Sequence, residues 1–209
     1  MKHILALAMI LVVTAAAAQD NAAQKQHILQ VFGGTAANAD SNLKVEQTGF
    51  PDLSFNAHYK TGTGGAPYYA WRYGNWNGDH AWEFEHIHHV LELTNNPPEI
   101  QHFEVSHGFN MFMLNRAWRS GGLIYRYGGG VVVTHAEGTI RNQDFSTGYT
   151  LDGVCGQFAA EKRWHLSDSW TASLEGKVTA GWARVPIADG HATVQNYALH
   201  GLIGIGYQW

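Results

Sequence analysis

An all-β fold, a single eight-stranded antiparallel transmembrane β-barrel, is predicted by four features of this 209-residue sequence. Long stretches alternate apolar and polar residues with a period of two. After residue 18, nothing reads as a long amphipathic helix or as an apolar run that would cross a bilayer. Charged residues fall in mid-strand, on the face opposite the aromatic and aliphatic ones. Finally, short and long connections alternate along the chain, as they do when strands cross a membrane with short turns on one side and longer loops on the other.

The chain begins with Lys2 and His3, a short apolar run and the alanines Ala15 to Ala18 before Gln19, which reads as a secretory signal peptide over 1–18, with the barrel over 19–209. The run is too short for a spanning helix, which needs about 20 apolar residues. The only thiol, Cys155, excludes a disulfide-stapled domain. Eight strands are expected at about His27 to Gln47, Tyr68 to Trp76, Ala81 to Leu93, Val105 to Arg119, Gly122 to Ile140, Gly153 to Leu166, Trp170 to Pro186 and Val194 to Trp209. The stretches "GNWNGDH", "SGG" and "SDS" are the short periplasmic turns, and the other four connections, generally longer, face outward from the cell.

The face assignment is clearest from Trp170 to Arg184. Trp170, Ala172, Leu174, Val178, Ala180 and Trp182 share one face, and Thr171, Ser173, Glu175, Lys177 and Thr179 the other. Glu175 and Lys177 in mid-strand would be costly in a sandwich core but suit a polar lumen, where charges pair across strands. Gln157, Glu161 and Arg163 lie opposite Val154, Phe158 and Trp164, and Arg126 interrupts Leu123, Tyr125, Tyr127 and Val131 in the same way. The last strand, ending "HGLIGIGYQW", carries Tyr197, Leu199, Ile203, Ile205, Tyr207 and Trp209 on one face. Its terminal aromatic resembles the signal that outer-membrane barrels present to the barrel-assembly machinery, so the expected location is the bacterial outer membrane. The formal net charge is −4 with histidines neutral, and no basic stripe points to nucleic acid. Lys44, Lys60 and Arg141 are isolated cations near the outer loops.

The stretch "WEFEHIHHVLEL", from Trp82, concentrates histidines and glutamates. It contains no H-E-x-x-H, and its neighbours are strands, so a helical metalloprotease site is excluded. On a strand His86 and His88 share a face about 6.8 Å apart, within reach of one metal ion, while Glu83, Glu85 and His89 share the opposite face. Trp82 and Phe84 put the His86/His88 face on the lipid side at its start, and a bulge could reverse that farther along. His102, Glu104, His107, Asn110, His135 and His191 are expected near the same outer mouth, the last of them in the final outer loop. Candidate metal ligands are His86, His88 and His107. The mouth adjoins the lipopolysaccharide leaflet, so chemistry there would act on lipid A.

"GGAPYYAWRYG", "EFEHIHH" and "SHGFNMFMLNRAW" together resemble a family of small outer-membrane barrels that includes lipid A oxidases, most clearly at Pro67-Tyr68-Tyr69, Glu85, His88, Asn110 and Asn115. The resemblance implies oxidation of the proximal glucosamine of lipid A to an aminogluconate unit, using oxygen and a divalent metal, iron or manganese. It implies Glu85, His88 and Asn110 as catalytic residues and lipid A, lipopolysaccharide and outer-membrane lipids as partners. The spacing His107-Gly108-Phe109-Asn110 departs from the Gly-His-Asn pattern of the oxidases. Two other readings stand beside it. One is lipid A deacylation, with Ser106 or Ser54 activated by His107 or another histidine, although Ser106 and His107 would point to opposite faces of a regular strand. The other is a non-enzymatic barrel with a structural role or a small hydrophobic ligand. The interior of eight strands only just holds its side chains, so a general pore is not expected.

Overall fold

The structure, a computed structural model, describes residues 25–62 and 67–209. The signal-peptide segment lies outside the described residues, as does part of the first long connection. In chain order the strands are β1 (Lys25–Asn38), β2 (Ser41–Gln47), β3 (Leu53–Ala57), β4 (Tyr59–Thr61), β5 (Tyr69–Asn77), β6 (His80–His88), β7 (Leu91–Leu93) and β8 (Ile100–Val105). They continue as β9 (Phe109–Ser120), β10 (Leu123–Thr134), β11 (Glu137–Ile140), β12 (Gln143–Ser146), β13 (Thr150–His165), β14 (Trp170–Ile187) and β15 (Gly190–Gln208). Eight of them, β1, β5, β6, β9, β10, β13, β14 and β15, pair antiparallel in that order, and β15 closes on β1 from Ile28 opposite Gln208 to Asn38 opposite Ala198. The eight-stranded barrel is therefore closed and has no free edge to aggregate or to need lipid-incompatible hydrogen bonds.

Each expected segment contains one wall strand, but four of them break in two. After Asn38, His88 and Thr134 the chain leaves the wall, and before Phe109 it enters it; the adjoining strands β2, β7, β11 and β8 lie beyond the barrel. Strands β12, β11, β8, β7 and β4 form a second sheet. The other sheet is built on the wall itself. Here β14 and β15, 18 and 19 residues long, rise past the barrel and recruit β2 and β3. The last connection is thus not a long loop but a tight turn at Ala188 and Asp189, whose φ is 53°, and His191 sits on β15 beside it. Leu43, Val45, Val185 and Val194 of one sheet and Leu91, Phe103, Val105 and Ile140 of the other belong to one buried apolar core, a sandwich over the barrel's mouth.

Inside the wall the filling is layered. At the short-turn end Trp76 is fully buried among Ile28, Ala81, Ala117 and Ile124, with the Arg119 guanidinium 4.2 Å from its ring. In the middle, Glu83, Glu85, Glu161 and Glu175 meet Arg72, Arg126, Arg163 and Lys177. Above them Phe32, Met111, Met113 and Val132 continue into the sandwich core. The charges sit where period-two alternation puts them, and four carboxylates against four cations leave this middle layer neutral. Outside, Leu114, Val154, Leu174, Leu199 and Ile203 are exposed, the last at 73%. An apolar girth around a charged interior is the inverse of a soluble protein, and only a hydrocarbon surround makes it stable. Near the short-turn end Tyr73, Trp209, Tyr207, Trp170 and His27 stack on one another as an interfacial girdle.

Candidate functional site

The pairing of β6 with β5 and β9 runs without a bulge through His86, and with β5 on to His88. The outward parity set by Trp82 and Phe84 therefore persists, and both imidazoles stay on the outward face. They are nevertheless buried, at 6% and 4% exposure, because aromatic side chains cover them. His86 stacks on Phe112 with ring centroids 4.5 Å apart and touches Tyr69 and Trp71; His88 stacks on Tyr69 at 4.9 Å.

Asn110, also outward on β9, ties the two together. Its Oδ1 accepts from His86 Nε2 at 3.2 Å and His88 Nδ1 at 2.9 Å, while its Nδ2 donates to the carbonyls of His107 at 3.0 Å and Gly108 at 3.1 Å. An amide oxygen only accepts, so His86 carries its proton on Nε2 and His88 on Nδ1. The other nitrogens, His86 Nδ1 and His88 Nε2, hold lone pairs and have no partner among the described residues. The segment from Ser106 to Gly108 lies against this array because position 108 is glycine. Its φ is +107°, and a Cβ there would stand 2.6 Å from both Asn110 Oδ1 and His88 Nδ1.

That turn also revises the expectation for Ser106 and His107. They do not lie on a regular strand, so they do not point apart: Ser106 Oγ is 3.0 Å from His107 Nδ1 and 3.4 Å from His135 Nδ1. His107 and His135 have ring centroids 4.4 Å apart. Glu137 completes the group: one ligating atom each of His107, His135 and Glu137 lies within 4.8 Å of the others. Tyr69, His86, His88, His107, Asn110, Phe112, Val133 and Tyr149 line an open groove of about 480 Å³ on the outward face of the wall, where it meets the sandwich.

Two expected groupings come apart. Glu85 points into the lumen, where Arg72 grips it at 2.9 and 3.2 Å, Lys177 pairs with it and Asn115 donates to it at 2.8 Å. The wall separates it from His88 and Asn110, because residues 85 and 88 have opposite parity. Of Glu85, His88 and Asn110, the structure brings only the last two together. Similarly, His86 and His88 converge on Asn110, and among the described residues the only three-donor grouping takes His107 with His135 and Glu137 and not with His86 and His88. Glu137 was missing from the sequence reading. The alternation His135-Ala136-Glu137, which puts both donors on one face, was the available signal.

His102 and Glu104 sit on β8 in the second sheet, 3.6 Å apart, and not on the wall. Burial, with the neighbouring Glu92 carboxylate, holds the Glu104 carboxyl above its ordinary value. Ser54 lies on β3 and donates to Asn42 at 3.0 Å, away from the groove.

No protein-family model matches the chain, and no curated protein does. Among solved structures, the outer membrane protein OprG of Pseudomonas aeruginosa matches with a TM-score of 0.50 at 12% identity, over 90% of this chain and 97% of that one. The fold is that of an outer-membrane barrel. The attachment invasion locus protein Ail of Yersinia pestis matches with a TM-score of 0.44 at 10% identity, over 89% of this chain and 99% of that one. Neisserial surface protein A matches with a TM-score of 0.36 at 7% identity, over 88% and 95%.

Proposed function

We propose that the protein is delivered by the barrel-assembly machinery to the bacterial outer membrane and there modifies lipid A by oxidation, at the groove around His88 and Asn110. The observation that carries this reading is the placement of the polar array. Its imidazoles stand on the outward face of the wall beside the apolar girth, where a lipid headgroup rests, and not in the lumen. Tyr69, Phe112, Val133 and Tyr149 offer an apolar and aromatic floor for the lipid, with imidazoles alongside for its sugar.

In the oxidation, the C1 hydrogen and hydroxyl proton of the proximal sugar leave with an electron pair, dioxygen takes them up as hydrogen peroxide, and water opens the lactone to the acid. A divalent iron or manganese ion, when bound, supplies the route from sugar to oxygen. His88, whose Nδ1–H is fixed by Asn110, keeps the Nε2 lone pair that would receive the hydroxyl proton once the rings covering it, Tyr69 among them, part. Glu85, held by Arg72 and Lys177 across the wall, has only a structural part.

The 3.0 Å contact of Ser106 with His107 favours a second reading, ester hydrolysis. Ser106 is 1% exposed, so an acyl ester would reach it only if the turn opened. Mass spectrometry of lipid A from otherwise identical cells with and without the protein separates the readings. Oxidation adds the mass of one oxygen atom, lost again in Asn110→Ala. Hydrolysis removes an acyl chain, and an unchanged mass overturns both.

A further inference from the structure

We propose that His107, His135 and Glu137 bind a divalent transition-metal ion where the wall meets the second sheet, with Ser106 as the group that orients both imidazoles. The inference deepens the oxidative reading above by naming the donors of its metal.

Three observations carry it. The ligating atoms already lie within 4.8 Å of one another, a spread that one ion with bonds of about 2.0–2.2 Å closes by rotamer adjustment. The donors come from separate parts of the chain held by separate constraints. His107 sits in the turn that Gly108 permits, His135 follows the last wall residue of β10, and Glu137 begins β11, fixed opposite Glu104 and Ser146. Ser106, itself 1% exposed, touches the Nδ1 of both imidazoles. An imidazole held at one nitrogen presents the other, and such outer contacts are what set ring orientation in metal sites. The hydroxyl oxygen has two acceptor lone pairs, enough for both Nδ1–H groups.

The donor set also says which ions fit. Two imidazoles and a carboxylate, with no thiolate, suit iron, manganese, cobalt or zinc rather than copper(I), and three protein ligands leave coordination positions open. Val133 and Tyr149, which flank His135, and His107 itself line the groove with His88 and Asn110, so the donors border that groove.

The test uses the full barrel, folded in detergent and checked for a heat-dependent gel shift, titrated with Co²⁺ alone and followed by the visible d–d absorption and by metal content after desalting. About one ion per chain is expected, with the bands abolished in His135→Ala and in the near-isosteric Glu137→Gln. Ser106→Ala should weaken binding by about ten- to a hundredfold, and His191→Ala, on the far tip of β15, should leave it unchanged. An unaltered Co²⁺ spectrum in folded His135→Ala and Glu137→Gln, or no retained ion in the wild type, overturns the site. Metal retention with no change in lipid A mass supports the site and sinks the oxidation. An oxidised lipid A made by metal-free Glu137→Gln overturns the link between them, since the oxidation then runs without this ion.

Discussion

Arg72→Met removes one cation from the centre of the lumen. Arg72 is fully buried, forks onto Glu85 at 2.9 and 3.2 Å, and reaches Glu175 at 2.8 Å and Glu161 at 3.3 Å. Without it, Glu83, Glu85, Glu161 and Glu175 face only Arg126, Arg163 and Lys177, and a net negative charge is stranded away from water. Stranding a buried charge in this way costs about 3–5 kcal/mol, whereas replacing a buried pair by apolar groups is often neutral. At about 1.4 kcal/mol per decade, the single variant should shift the folded-to-unfolded ratio by roughly two to three and a half decades. Arg72→Met with Glu175→Leu restores the balance and should recover most of the loss. Urea titrations in lipid vesicles, read by tryptophan fluorescence and by gel mobility, measure both. A single variant that loses less than about 1 kcal/mol would refute the argument, because the lumen charges would then have to be hydrated rather than paired.

Asn110→Ala should leave the barrel folded, at a cost of about 1–3 kcal/mol for buried imidazole groups left unpaired. Imidazole ¹⁵N resonances should lose the Nε2–H form of His86 and the Nδ1–H form of His88. Gly108→Ala forces an L side chain to φ +107° against Asn110 and His88. It should cost about 1–3 kcal/mol and abolish lipid A modification while the heat-dependent gel shift persists. Tyr59, in the second sheet, has a buried hydroxyl with no partner among the described residues, and burial pushes its pKa up. A phenol whose folded value is raised contributes stability that is fully present below the unfolded value of about 10 and is lost as pH rises above it. Because that hydroxyl is buried without a partner, Tyr59→Phe should stabilise the protein by about 1 kcal/mol at neutral pH. Its advantage should widen in thermal melts above pH 10; a constant difference across that range would count against a raised value.

The wall was legible because one physical rule, alternation between lipid and lumen, acts on every residue of it. Trp170 to Trp182 shows the rule at its clearest, whereas the parity of Trp82 and Phe84 reached His86 and His88 only if no bulge intervened, which the unbroken register supplies. What covers those imidazoles was not legible, since Tyr69 and Phe112 reach them across strand pairs that a linear pattern does not encode. The sandwich was hidden for a related reason. At Ala39-Asp40, His89-Val90 and His135-Ala136 the chain leaves the wall without a glycine or proline, so each strand read as continuing. Glu137 and His107 are 30 positions apart in sequence and meet only because β11 pairs with β8. Glu85 and His88 lie on opposite faces of the wall, a separation that their odd and even positions on one strand already implied.

The stacked filling of the barrel, with Trp76 at one end and the sandwich core at the other, leaves no axial route to the cluster on its flank. A lipid bound as proposed at His88 and Asn110 has to drift in sideways along the leaflet. Encounter is then a search over a surface, set by how many lipids occupy a patch of membrane and how fast they exchange places. Diluting the bulk solution would leave it untouched, and stiffening the leaflet would slow it.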